Sequence, residues 1–272
     1  MKKGILFCTL LTVMLVASCA KNPFTGKSTM ALVDNSQIFP SAFQQYGTFL
    51  KENKVLVGTT DAKKVEIVGM KIKAAAEKWL NANGYSDYLK DYQWEYKLVE
   101  NKEVNAWCMP GGKIVVYSGI LPITLDETGL ATVMGHEVSH ALANHGQQRM
   151  SAGMLQQAGA AGVAVATGSK SAETQQIAML AYSGVSQFGA MLPFSRSHES
   201  EADMIGLKLM AIAGYNPDKA VDFWLRMSAK SGGQKPPEFM STHPSDETRI
   251  ANIKKQIPAA KAEAAKFGVT FK

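Results

Sequence analysis

Apolar residues recur along this chain with two periods, and each period names the element it forms. From Asp61 to Asn83, the positions Val65, Val68, Ile72, Ala76 and Leu80 fall on one face of a helix. Ser36 to Glu52 carries the same periodicity. A third stripe, Leu130, Val133, Met134, Val138 and Leu142, follows a T-x-x-E spacing at Thr124 and Glu127. That spacing is a capping box, and Asp126 and Glu127 suit the positive end of the helix dipole, so a helix is predicted from Leu125 to about Asn144. Tyr92 to Leu98 and Lys113 to Tyr117 alternate or run apolar with β-branched residues and predict strands. After Gly214, Asn216 and Pro217 supply an N-cap and a first-turn proline for a helix to about Lys230. Ser231 to Pro244 is a loop by composition, and Pro258 to Phe267 reads as a solvated helix. The expected class is α+β, mainly α-helical.

Met150 to Phe194 is rich in Ala, Gly, Met and Gln, with apolar runs such as Ala158 to Thr167. A membrane hairpin is one reading, but the runs are short and broken by Gly168, Ser169 and Lys170. The preferred reading is a helical hairpin, close-packed through small residues, that partly covers a cleft, with Gly189 to Ser195 as a lid loop. At the N-terminus, Lys2 and Lys3 precede an uncharged run from Gly4 to Ala17. The run falls short of the ~20 residues of a membrane span and reads as a signal peptide. Ala17 and Ser18 before Cys19 look like a lipobox, which implies cleavage ahead of Cys19 and its lipidation; Ala20 in the next position resembles an outer-membrane sorting signal. Ala20 to Asn35, with Pro23 and Gly26, suits a tether. The expected organisation is a leader over residues 1–18, a lipid-anchored tether over 19–35 and one catalytic domain over 36–272.

Removing residues 1–18 removes two lysines and no acids, leaving 27 basic against 23 acidic side chains. With no dense Lys/Arg run, a nucleic-acid partner is not expected. Of Cys8, Cys19 and Cys108, only Cys108 remains unassigned, which excludes an intramolecular disulfide framework.

The chemistry sits in the third helical stripe, where His136, Glu137 and His140 form H-E-x-x-H. Residues four apart share a helical face, so both imidazoles can aim at one point and make half of a tetrahedral zinc site. Glu137, one helical step on, is placed to take a proton from a water there. A metzincin third ligand is excluded because Ala143 and Gly146 occupy the positions that would need glycine and histidine. His145 is out of register and reads as a surface or helix-end residue. The better candidate for a third ligand is Glu199, with Asp203 one turn later suited to accept the second N–H of a ligand histidine. Ala202 and Gly206 are small enough for the two helices to approach closely. The bland alternative is an acidic solvated face.

H-E-V-S-H followed by E-x-x-A-D at Glu199, Ala202 and Asp203 resembles the gluzincin branch of HtpX-like and CAAX-prenyl-type zinc endopeptidases. Within it the chain is most similar to the bacterial periplasmic lipoprotein branch, the LoiP- and BepA-like quality-control proteases. Asn105 to Gly119, Ser241 to Arg249 and the N-P-F-T-G-K segment share in the resemblance. It implies a zincin-like fold, in which an HExxH helix and an ExxAD helix meet beside a small β-sheet that edges the cleft. It implies one Zn2+ per chain, with His136, His140 and Glu199 as ligands, Glu137 as catalytic base and Asp203 as an assisting acid. Asn105 is expected to contact substrate or orient the sheet edge. His243 is expected near the site, either on the transition-state oxyanion or in the open zinc position. Arg249 is expected to anchor the final helices.

The expected partners are unfolded or misassembled proteins, a membrane reached through the N-terminal lipid, and an outer-membrane assembly machinery. The expected address is the bacterial cell envelope, at the outer membrane facing the periplasm. Two rivals remain: a chaperone or assembly factor with latent proteolysis, and a zinc hydrolase acting on a non-peptide bond.

Overall fold

The structure is a computed structural model that describes residues 19–230, 239–240, 243 and 247–271. The predicted leader lies outside them. In chain order the elements are β1 (Cys19–Lys21), β2 (Ser28–Met30), α1 (Asn35–Glu52), β3 (Val55–Leu56), α2 (Thr60–Ala82), β4 (Glu95–Val99), β5 (Ala106–Met109) and β6 (Lys113–Tyr117). Then follow α3 (Leu121–Thr124), α4 (Glu127–Leu142), α5 (His145–Thr167), α6 (Ala172–Gly184), a π-helical segment (Val185–Met191), α7 (Leu192–Ile212), α8 (Lys219–Lys230) and α9 (Glu247–Ala265). The chain divides into two compact units, one of residues 39–143 and 199–272, the other of residues up to 38 and 144–198.

In the larger unit the four-stranded sheet runs β3-β4-β6-β5. β4 pairs with β6 in parallel, and the other pairings are antiparallel. β6, flanked on both sides, is buried along its whole length, whereas β5 is an edge strand. The β5–β6 turn uses Gly111 and Gly112 at φ 83° and 89°, a backbone region that other residues adopt only under strain. α2 packs its predicted stripe inward: Val65, Val68, Ile72, Ala76 and Leu80 are all buried. It lies close to β4 because Gly69 faces the Tyr96 ring, where a Cβ would collide. The predicted solvated C-terminal helix is instead part of α9, which buries Ile250, Ile253, Ile257, Ala260 and Ala264 along one face.

The start of α4 differs from the expected capping box. Asp126 is the N-cap, its Oδ1 accepting the Gly129 N–H at 2.9 Å, while Thr124 ends the separate α3. Leu125 between them adopts φ 65°, so the chain turns there rather than continuing a helix.

In the smaller unit, the segment read as a tether carries the β1–β2 ribbon and is tied to α5. The Leu32 N–H donates to Ser151 Oγ at 3.0 Å, and Gln147 Nε2 donates to the Val33 carbonyl at 2.7 Å. α5 and α6 form the predicted helical hairpin. Tyr182 Oη donates to the Gln156 carbonyl at 2.8 Å, and Gln156 Nε2 donates to Ser186 Oγ at 3.0 Å. Residues 189–195, expected as a lid loop, are helical throughout, because the π segment runs directly into α7.

Candidate metal centre

Two helices bring the candidate ligands together. α4 and α7 cross with backbone nearly in contact, since a Cβ added at Gly206 would stand 2.9 Å from the His136 nitrogen. A larger residue there would push the helices apart. The far end of α4 is held by two phenols: Tyr88 Oη donates to the Leu142 carbonyl at 2.7 Å and Tyr92 Oη to the Ala141 carbonyl at 3.0 Å. These bonds satisfy carbonyls that a helix end leaves without partners.

Between those fixed points, one ligand atom from each of His136, His140, Glu199 and His243 lies within 4.8 Å of all the others. His136 Nε2 is 3.1 Å from His140 Nε2, 3.1 Å from His243 Nδ1 and 3.3 Å from Glu199 Oε2. His140 Nε2 is 3.4 Å from Glu199 Oε1. His136 Nδ1 lies 2.9 Å from Asp203 Oδ1, and the carboxylate can only accept, so the proton sits on Nδ1 and Nε2 presents its lone pair. Lone pairs facing one another need a cation between them. Ligands about 2.0–2.1 Å from a tetrahedral zinc stand about 3.3 Å apart, which is the spacing found here. Two imidazoles, a carboxylate and a third imidazole are also a donor set that zinc accepts. The residues fit the metal.

The electrostatics agree. Burial opposes a charge on His136, but hydrogen bonds and charge from Asp203 and Glu199 outweigh it and raise its pKa to about 9, so the two carboxylates favour a cation at Nε2, where a metal would take the place of a second proton. His140 lies well below its ordinary value because burial dominates. Burial also opposes the ionisation of Glu199, yet the hydrogen bonds of three histidines hold its carboxyl far below the usual range. Asp203 is depressed too, against its burial, chiefly by the charge of Arg249.

Residues 70–257 match the peptidase family M48. The chain belongs to that family. It is 38% identical over 176 residues to the mitochondrial metalloendopeptidase OMA1 of Schizosaccharomyces pombe, covering 64% of this chain and 50% of the relative. It is 27% identical over 247 residues to the human mitochondrial metalloendopeptidase OMA1, covering 88% and 46%. It is 29% identical over 165 residues to the β-barrel assembly-enhancing protease of Escherichia coli K12, covering 58% and 33%. The chain thus spans half or less of the length of these relatives. The names correct one expectation. A bacterial outer-membrane lipoprotein facing the periplasm does not agree with relatives named as mitochondrial. That expectation rested on residues 1–18, which lie outside the described residues, and on the side chain of Cys19, which is likewise undescribed.

In this M48 chain, Glu137 is buried beside the ligand cluster, with Oε1 3.3 Å from His243 Nε2. His243 therefore stands between Glu137 and the candidate ligands, as its Nδ1 also lies 2.9 Å from Glu199 Oε2. β5 runs alongside. The half-buried thiol of Cys108 is pushed well above its ordinary value by desolvation and by the charge of Glu137. Asn105 stands just ahead of β5 and its Oδ1 accepts the Ala106 N–H at 2.9 Å, so its side chain shapes the start of the edge. His145 does stand at a helix end, as the first residue of α5, but not at the surface: it is buried, with its ring stacked on His198 at 4.0 Å between centroids.

Sequence reasoning undervalued Arg249. It was assigned to the final helices alone, but its Nε and Nη2 donate to the two Asp203 oxygens at 2.8 Å each, and its Nη1 lies 3.3 Å from Glu199 Oε2. The guanidinium also stacks over Trp224 at 3.8 Å. The usable signal was a lone arginine in the S-D-E-T-R segment beside His243.

Proposed function

We propose that this M48 chain is a metalloendopeptidase that binds one Zn2+ through His136, His140 and Glu199 and cleaves misfolded or unassembled proteins. The observation that carries the reading is the convergence of those donors at tetrahedral spacing within a buried site. When bound there, zinc supplies a Lewis acid that polarises a carbonyl and lowers the pKa of water towards ~7. The residues do the rest. Glu137 takes the proton from the attacking water and passes it to the leaving amine. Asp203 accepts the His136 Nδ1–H and fixes its tautomer, and Arg249 fixes Asp203. The open edge of β5, positioned by Asn105, offers backbone N–H and C=O groups to an extended segment. Recognition through backbone tolerates many sequences, which suits unfolded substrates. Similarity to relatives named as a mitochondrial metalloendopeptidase and as a β-barrel assembly-enhancing protease supports the protease reading without selecting a narrower branch.

The second reading is a binding or assembly factor with latent proteolysis. It is favoured by His243, whose Nδ1 stands where a fourth donor would and must withdraw to admit substrate. One experiment addresses both readings. Zinc content and casein cleavage are measured for purified wild type, Glu137→Gln and Glu199→Ala. Wild type and Glu137→Gln retain zinc, Glu199→Ala loses it, and cleavage by Glu137→Gln falls by about 10²–10⁴-fold. Full cleavage by Glu137→Gln at wild-type zinc content would remove the base assignment. A zinc-loaded wild type that cleaves only after His243→Ala would establish the latent form.

A further inference from the structure

The hairpin of the smaller unit has a surface that water does not suit. Nine of the fifteen large apolar side chains exposed among the described residues lie between Met150 and Leu192, and Val165, Ile177, Leu180, Val185 and Phe188 are 61–84% exposed. No residue of α6 is buried. The continuous helix from Ala172 contains an eighteen-residue window of mean hydropathy 1.2, none of it buried. A core helix of a soluble protein can be this apolar, but it would be covered. A surface helix in water has a charged face, and these legs have none on any side.

The charges sit only at the ends. Residues 150–169 and 174–195 contain no Lys, Arg, Asp, Glu or His. Lys170 and Glu173 flank the turn that joins the legs, and the exposed Arg149 and Arg196 stand at the opposite end of each. At 1.5 Å per residue the uncharged legs are about 30 and 33 Å long, against about 30 Å for the hydrocarbon core of a bilayer. Gly168, Ser169 and Lys170, which interrupt the apolar run in the sequence, fall at this turn, so they bound two spans instead of breaking one. Polar side chains between the legs pair with each other: Tyr182 bonds the Gln156 carbonyl, and the Gln156 amide bonds Ser186. Such pairing is how polar groups are accommodated where water is absent.

We propose that residues 150–195 form a helical hairpin that spans the hydrocarbon core of a lipid bilayer, with the Lys170–Glu173 turn at one interface and Arg149 and Arg196 at the other. The chain enters this hairpin shortly after His140 and leaves it four residues before Glu199.

The test reads lipid contact at single positions, so it does not depend on zinc or cleavage, or on how the N-terminal segment behaves. The native tryptophans, Trp79, Trp94, Trp107 and Trp224, all lie outside the hairpin. Full-length Leu180→Trp, Phe188→Trp and, as a control on the larger unit, Val57→Trp are reconstituted in vesicles of equal parts phosphatidylcholine and phosphatidylglycerol, with and without brominated acyl chains. Bromine in the core is expected to quench the added fluorescence of the two hairpin variants by about twofold or more and to leave that of Val57→Trp unchanged. Equal responses at the three positions would overturn the proposal. So would a blue-shifted signal at Leu180→Trp and Phe188→Trp that brominated acyl chains leave unquenched in the vesicles, since the face would then be covered by protein and not by lipid.

Discussion

Helices α4 and α6 are both poor in charge, yet every residue of α4 from Gly129 to Leu142 is buried and no residue of α6 is. The apolar stripe of α4 is consumed by β5, α2 and α8, and the polar residues carried inside with it are paired: His136 with Asp203, and Glu199 with three histidines. α6 brings no acidic or basic side chain except Glu173 at its start. The difference shows that apolar content states only that a helix requires cover. Whether the cover comes from the same chain or from another solvent depends on what the neighbouring elements offer. Where cover comes with buried charges in paired positions, the result is chemistry.

The contrast is broken most severely by removing cover. Leu142→Ala deletes a fully buried side chain and is expected to cost about 2–5 kcal/mol in urea unfolding. Leu180→Ala on the hairpin should change stability in the same assay by no more than about 0.5 kcal/mol. Equal losses would mean that α6 has a protein cover. Next in size is the pairing inside the site. Arg249→Lys keeps the charge but loses the two-pronged grip on Asp203, and the affinity for zinc, measured by chelator competition, is expected to fall about 10–100-fold. An unchanged affinity would mean that Asp203 holds His136 unaided.

The smallest effect concerns Glu263, on the rim of the larger unit. Burial raises its carboxyl, but hydrogen bonds from Lys266 and Trp79 outweigh this and lower it. A carboxyl depressed on folding adds stability above its unfolded pKa of about 4.3, and that stability is lost as pH falls through the lower folded value. Trp79→Phe removes one of the two bonds, so the Glu263 midpoint in an NMR titration should move upward, and the acid-side loss of stability should shrink. A midpoint that stays in place would assign the shift to Lys266 and Lys208.

Much of this was legible in the residues. Helical spacing placed the stripe of α2 and the stripe of α4, because burial of one face leaves a direct record in the period of apolar positions. The H-E-x-x-H and E-x-x-A-D spacings named five residues that the fold brings together, since the i, i+4 geometry within each helix is local. What failed was non-local or depended on competing signals. Thr124 offered a better-looking cap than Asp126, but a turn at Leu125 separates it from the helix. His145 looked peripheral because nothing near it in sequence announces His198, more than fifty residues on, as its stacking partner. Arg249 looked like a helix anchor because its carboxylate, Asp203, is 46 residues away.

That last separation has a consequence for the making of the protein. His136 and Arg249 are 113 positions apart, and the guanidinium arrives on the final helix. A growing chain therefore exposes H-E-x-x-H to the cell long before the carboxylate that orients it has been clamped. Through that interval His136 lacks the Arg249-held carboxylate that fixes its tautomer, so the metal site is completed only once residue 249 has joined it.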